Sequence, residues 1–204
     1  MYDYTPKVDK LLTTKEKTVL RLLMSSYDTV YSINNIAGEC GLSPNGAFKI
    51  LKKFEKEGIL TAKNIANIKS YRINFDNEKT HLILELALAS EIIGKIGCRL
   101  EDLKALKEIT ECSVLFGSYL LKKEAHDLDV LFILNKGKYK EYAKRLTEIK
   151  EIIPAKIHDV IQTKEDLIEN IKKKDKVILE IIRKGIVLWG QRIIVKVIQD
   201  VYQG

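Results

Sequence analysis

Three aspartates and a Gly-Ser pair are the residues of this chain whose types and spacing point most directly to chemistry. Gly117-Ser118 closes one apolar run, Asp127-Leu128-Asp129 opens the next, and Asp159 lies inside a later one, AKIHDVIQ. Burying an ionised carboxylate is costly unless a cation or a partner compensates it. Acids at the head of LDVLFIL therefore hold something cationic or stand solvated at a strand end. Side chains two apart on a strand share a face, so Asp127 and Asp129 are expected on one side. Asp159, one element further on, is expected to join them. Three converging carboxylates make an oxygen-rich site suited to Mg2+. Two such ions would bridge nucleotide phosphates and activate an attacking oxygen. Gly117 would let the backbone approach a phosphate, and the following amides with the Ser118 hydroxyl would bind the anion. His126 and His158 flank acids but lack ligand spacing. Alternation turns His158 away from the Asp159 face, and both read as local hydrogen-bonding residues.

The elements that must position these groups are legible from pattern. Strands are expected at 112–116, in LDVLFIL and in AKIHDVIQ, with a shorter extended piece at IVLWG. Helices are expected over 139–149, after the capping sequence Thr163-Lys-Glu-Asp166, over 174–184 and over 191–202. Alternating strands and helices make this an α/β or α+β unit.

The first third reads differently. Thr13-Thr-Lys-Glu16 is a capping box ahead of a helix over 14–25. Ser32 caps a short helix that Gly41 ends, and Ser43-Pro44 starts another that runs to Gly58. That last helix buries Ala47, Ile50, Leu51 and Phe54 and shows Asn45, Lys49, Lys52, Lys53 and Lys56 on its other face. Two β-prone runs, GILTAKN and KSYRINF, follow as a hairpin. Between the halves, 78–96 reads as a long helix with a wide apolar stripe, enough for two lobes or a second subunit. A second helix is expected over 100–108 after a break at Gly97.

The 204 residues allow one large or two small domains, and the formal charge is +7. Residues 1–75 hold twelve lysines and arginines against seven acids, so the first third carries most of the excess. A basic lobe suits a polyanion, although lysine-rich solvated surfaces are common. No apolar run reaches transmembrane length, and MYDYTPKVDK lacks the apolar core of a signal peptide. Three scattered cysteines argue against a disulfide framework and for a cytoplasmic protein with no membrane partner.

Helix, helix-turn-helix and hairpin, in this order, resemble a winged helix-turn-helix domain. LSPNGA and the later LKKFEKEGIL are similar to the recognition helix and turn of many prokaryotic winged-helix repressors. The resemblance implies that the start of the 44–57 helix enters the major groove of DNA. Asn45 and Lys49 would face bases, with Lys52, Lys53, Lys63, Lys69 and Arg72 near phosphates. That helix carries no arginine, the usual guanine reader. The same fold also serves as a protein-interaction or dimer module.

Gly-Ser, Asp-x-Asp and a lone Asp on successive strands, with the ending IRKGIVLWG, resemble the nucleotidyltransferase superfamily that includes polymerase β, in its minimal branch. The resemblance implies Asp127 and Asp129 as metal ligands and Asp159 as third ligand or general base. Gly117 and Ser118 would bind nucleotide, Mg2+ would be the cofactor, and ATP or another nucleoside triphosphate the substrate. The turn after Ser118 departs from the branch. Tyr119, Leu120, Leu121 and Lys122 stand where a small residue, a basic residue and a glycine are usual, and His126 replaces a common serine.

The expected fold class is α+β. A winged helix-turn-helix over 1–76 and a helical connector over 77–108 precede a nucleotidyltransferase-like α/β domain with a small mixed sheet over 109–204. The expected function is AMP transfer from ATP to a protein or small-molecule hydroxyl. The resemblance extends to antitoxins that adenylylate HEPN-type ribonuclease toxins, and DNA and a second copy of the chain are further expected partners. The alternative is a DNA-binding transcriptional regulator whose transferase-like domain is a non-catalytic sensor or dimerisation module.

Overall fold

A computed structural model describes residues 11–65, 68–89, 95–121, 127–153 and 155–203. The chain divides into two compact units, Met1–Ala87 and Leu88–Gly204. The expected connector is thus shared between them.

The described residues of the first unit open with helices α1 (Thr14–Met24), α2 (Ile33–Glu39) and α3 (Pro44–Lys56). An antiparallel hairpin of β1 (Leu60–Ile65) and β2 (Ile68–Ile73) follows, then α4 (Glu78–Leu88). Each of the first three helices starts on a side-chain cap. Thr13 and Ser32 form reciprocal capping boxes with Glu16 and Asn35, and the Ser43 hydroxyl accepts from the Gly46 amide. Gly41 and Gly58 end α2 and α3 in the left-handed region. Val19, Leu20, Leu23, Ile36, Ala47, Leu51, Phe54 and Tyr71 are buried in this unit. Glu16 binds α1 to α3: besides its cap, it accepts from Lys53 Nζ at 2.8 Å. Burial pushes the Glu16 carboxyl up, but the bonds from Lys53 and Thr13 outweigh it and leave the group below its ordinary value.

The second unit begins with α5 (Lys95–Leu103) and a 3-10 turn, Lys104–Leu106. The long helix expected over 78–96 is α4 as far as Leu88, and 90–94 lie outside the described residues. The expected break at Gly97 is absent, because α5 runs through it. Ile96, Leu100 and Leu103 pack into the core on either side, which offsets the roughly 1 kcal/mol that an interior glycine costs.

A four-stranded mixed sheet follows in the order β5-β4-β3-β6. Its strands are β3 (Thr110–Phe116), β4 (Leu128–Leu134), β5 (Ile157–Gln162) and β6 (Ile186–Trp189). Strand β4 is antiparallel to β3 and parallel to β5, and β6 is antiparallel to β3. A single turn, α6 (Ser118–Leu121), follows β3, and α7 (Tyr139–Ile152) joins β4 to β5. Helices α8 (Lys164–Lys172) and α9 (Lys176–Lys184) precede β6, and α10 (Gln191–Gln203) ends the unit.

The pairing sorts the strands' side chains by face. Leu128, Val130, Phe132 and Leu134 of β4 join Leu115 and Ile157 in one core with Leu103, Leu106 and, from α7, Tyr142, Leu146 and Ile149. Leu131 and Ile133 alternate to the other face, and both are fully buried. Helices α9 and α10 lie against β3, and α8 against β5. With both faces covered, β4 is apolar throughout except at Asp129.

One polar chain crosses this core. Trp189 Nε1 donates to Thr110 Oγ1 at 3.1 Å, and that hydroxyl donates to the Leu106 carbonyl at 2.8 Å. Thr110→Val keeps the shape but leaves the indole N–H buried and unpaired. We expect it to lower stability by about 1–3 kcal/mol. Urea unfolding followed by fluorescence of Trp189, the single tryptophan, reads this directly.

Candidate functional site

The carboxylate site forms where β3 ends and β4 and β5 begin. Phe116, the last residue of β3, pairs with Asp129. Gly117 then turns the chain at φ +74°, and its backbone backs onto the Asp129 side chain. A Cβ on Gly117 would overlap the Asp129 carboxylate and stand 2.9 Å from its Cγ. Only glycine allows both the conformation and the approach. Ser118 is the first residue of α6, and Tyr119 anchors that turn in the core. The departures at Tyr119 and Leu120 are therefore packing residues, with Leu120 partly buried against the same cluster. Lys122 and His126 lie outside the described residues.

Asp127 is exposed immediately before β4, and Asp129 is half-buried. The partner of Asp129 across the strands is not the expected one. In the parallel pair, Asp129 stands opposite His158, and Val130 opposite Asp159. Registered partners share a face, so His158 accompanies Asp129 while Asp159 turns to the other side. The contacts agree: His158 Nδ1 is 3.3 Å from Asp129 Oδ1. Asp159 accepts from Tyr142 Oη at 3.1 Å and from Lys150 Nζ at 3.0 Å, both on α7. Burial first, and the Asp159 charge second, push the Tyr142 phenol far above its usual range.

The structure thus brings Gly117, Asp129 and His158 together, with Asp127 at the strand mouth, and does not bring Asp159 to them. Among the described residues no three His, Cys, Asp or Glu side chains are already gathered as a metal cage. The donor types at this strand edge, two carboxylates and an imidazole, are ones that bind divalent cations, and the Asp129 side chain fills the space beside Gly117 that a Cβ would need. Sequence reasoning missed His158 because alternation fixes faces within a strand and says nothing about the neighbour's register.

In the first unit, Asn45 and Lys49 are exposed on α3, and Lys63 is exposed on β1. The other cations expected near phosphates have partners in the protein. Lys52 and Lys69 share Glu55 at 3.0 Å and 2.9 Å. Lys53 pairs with Glu16 at 2.8 Å, and Arg72 donates to the Tyr27 carbonyl at 2.8 Å. A groove of about 500 Å³ runs beside Asn45, lined by Ile33, Asn34, Phe48, Ile68 and Lys69. Phe48 went unnoticed in the sequence because its spacing fits the edge of the buried stripe, yet it is 41% exposed.

Residues 100–192 match the family model described as "Polymerase beta, Nucleotidyltransferase". The match covers β3 to β6 with Gly117 and all three aspartates, and it spans less than half of the chain. Over that span the chain is similar to nucleotidyltransferases, at the level of the family. No curated protein and no solved structure matches the chain. No helix among the described residues is long and apolar enough to cross a membrane.

Asp159 has become a clamp between β5 and α7. We expect Asp159→Asn to cost about 1 kcal/mol, chiefly through the partly buried bond from Tyr142, since Lys150 is exposed enough to be resolvated. Urea unfolding of the full chain measures it. A loss near zero would show that Asp159 does not hold the two elements together.

Proposed function

We propose that this chain is a metal-dependent nucleotidyltransferase that moves AMP from ATP to a hydroxyl of a protein or small-molecule acceptor. Its first unit, in this reading, is a winged helix-turn-helix that binds DNA. The observation that carries the transferase reading is the close approach of Gly117 to Asp129, inside the span that matches the polymerase β family.

A bound divalent cation would neutralise the triphosphate against the acids and polarise the reacting phosphorus. Asp127 and Asp129 would hold it. Gly117 turns the chain beside the Asp129 carboxylate, and the Ser118 hydroxyl and neighbouring amides would donate to the phosphate oxygens. The acceptor oxygen bonds to the α-phosphorus as the bond to the bridging oxygen breaks. Pyrophosphate leaves with the β- and γ-phosphates, and the hydroxyl proton passes to solvent.

The second reading, a regulator with a non-catalytic transferase-like domain, is favoured by one observation: Asp159 is engaged by α7 on the opposite face.

Calorimetry of ATP with Mg2+ separates the two. Wild type should bind ATP only with metal present, and Asp127→Asn/Asp129→Asn should bind at least about tenfold more weakly, because ligand charge sets affinity at such sites. A folded wild type that binds no nucleoside triphosphate would sink the transferase reading.

For DNA, the ion pairs sort the lysines. Lys63→Ala should lower the slope of log affinity against log salt by about 0.9, the value for one lost phosphate contact. Lys53→Ala should leave that slope unchanged, since Glu16 already neutralises Lys53. Equal slopes for both variants and wild type would remove Lys63 from any DNA interface.

A further inference from the structure

We propose that the groove beside α3 reads A·T base pairs in the major groove of DNA, with Asn45 on adenine and Phe48 against the thymine methyl group. The inference rests on the DNA-binding reading of the first unit and names the base pair that this reading leaves open.

The apolar wall is the first support. Phe48 and Ile68 are each 41% exposed, and both line the groove of about 500 Å³, with Ile33 partly buried beside them. Apolar side chains exposed singly need no explanation, but a group of them in one groove points to a contact surface. The apolar group that double-stranded DNA presents in its major groove is the thymine methyl, and phenylalanine is among the side chains that pack on it.

Spacing is the second. Asn45 lines the same groove three residues before Phe48 on α3, so the two side chains are neighbours on one helix face. An asparagine amide matches the adenine edge, accepting from N6 and donating to N7. Pro44 opens the helix, so Asn45 lies in its first turn, the end that a recognition helix sets against base edges. One residue thus meets the polar edge of an A·T pair and its neighbour meets the methyl.

Charge is the third. None of the described residues that line the groove is acidic, and Lys49 is exposed directly after Phe48. That suits the phosphates that flank a base edge. Guanine is served less well. No arginine stands on α3, and Lys69, the cation on the groove wall, is held by Glu55 at 2.9 Å. A G·C pair would also set the cytosine amino group against Phe48, where it loses water and gains no acceptor.

The test is fluorescence anisotropy of the full chain with short alternating duplexes of dA·dT, dA·dU and dG·dC at one low salt concentration. Uracil keeps the hydrogen-bonding edge of thymine and lacks only the methyl. Wild type should bind dA·dT about fourfold more tightly than dA·dU, the value for burying one carbon, and about tenfold more tightly than dG·dC. Phe48→Ala should erase the difference between dA·dT and dA·dU. Asn45→Ala should weaken both about tenfold and keep their ratio. Equal binding of dA·dT and dA·dU by wild type would overturn this inference and leave the DNA reading standing. A methyl preference that survives in Phe48→Ala, or a preference for dG·dC, would do the same. No binding to any of the duplexes by folded protein would overturn both and leave the groove to an apolar protein segment. Phe48 is exposed and alanine favours helix, so the variant should fold, and the wild-type comparison decides without it.

Discussion

The register of β5 against β4 governs the second unit. A slip of one residue would exchange the faces of every side chain on β5. It would turn Ile157 out of the core, bring His158 in, and swap the positions of His158 and Asp159. Several interactions hold the register. Leu128 N–H donates to the Lys156 carbonyl at 2.7 Å, and Ile157 is buried opposite Leu128. Asp159 is fastened to α7, the helix that connects the two strands. The acid that the sequence suggests for catalysis thus keeps the strands aligned, and its neighbour meets Asp129.

The strand edge also depends on what surrounds β4. Leu128 to Leu134 bury side chains on both faces, so the strand cannot shift along its own axis without cost. Irregular pairing is confined to β3, whose register shifts between Thr110 and Cys112 against β4, and between Ser113 and Val114 against β6. The first lies at the far end from Gly117 and the second at mid-strand. The end bearing the site is regular, and Phe116 faces Asp129 there.

Much of this was readable before any coordinates. Helix starts were plain because Thr13, Ser32, Ser43 and Thr163 place a hydroxyl where the third helical amide needs an acceptor. Strand order alternating with helices, the turn at Gly117 and the hairpin after Gly58 were equally local. What failed was non-local. Gly97 looked like a helix break, and tertiary packing overrode it. Asp159 looked like a third ligand because pattern within a strand cannot say which residue of a neighbour lies opposite. Lys53 and Lys69, expected near phosphates, are joined by the fold to Glu16 and Glu55, whereas the Lys52–Glu55 pair is local, three apart on one helix.

Asp129 carries a consequence for the chain before it folds. Without it, LDVLFIL would be an unbroken apolar heptamer of strong β preference, the composition that nucleates intermolecular sheets. A single charge within such a segment keeps it dispersed while it is exposed on the ribosome or during unfolding. The carboxylate therefore serves solubility in the nascent chain as well as its contact with His158 in the folded one. An aliphatic replacement would confound the two, whereas asparagine removes the charge and keeps a polar break in the run.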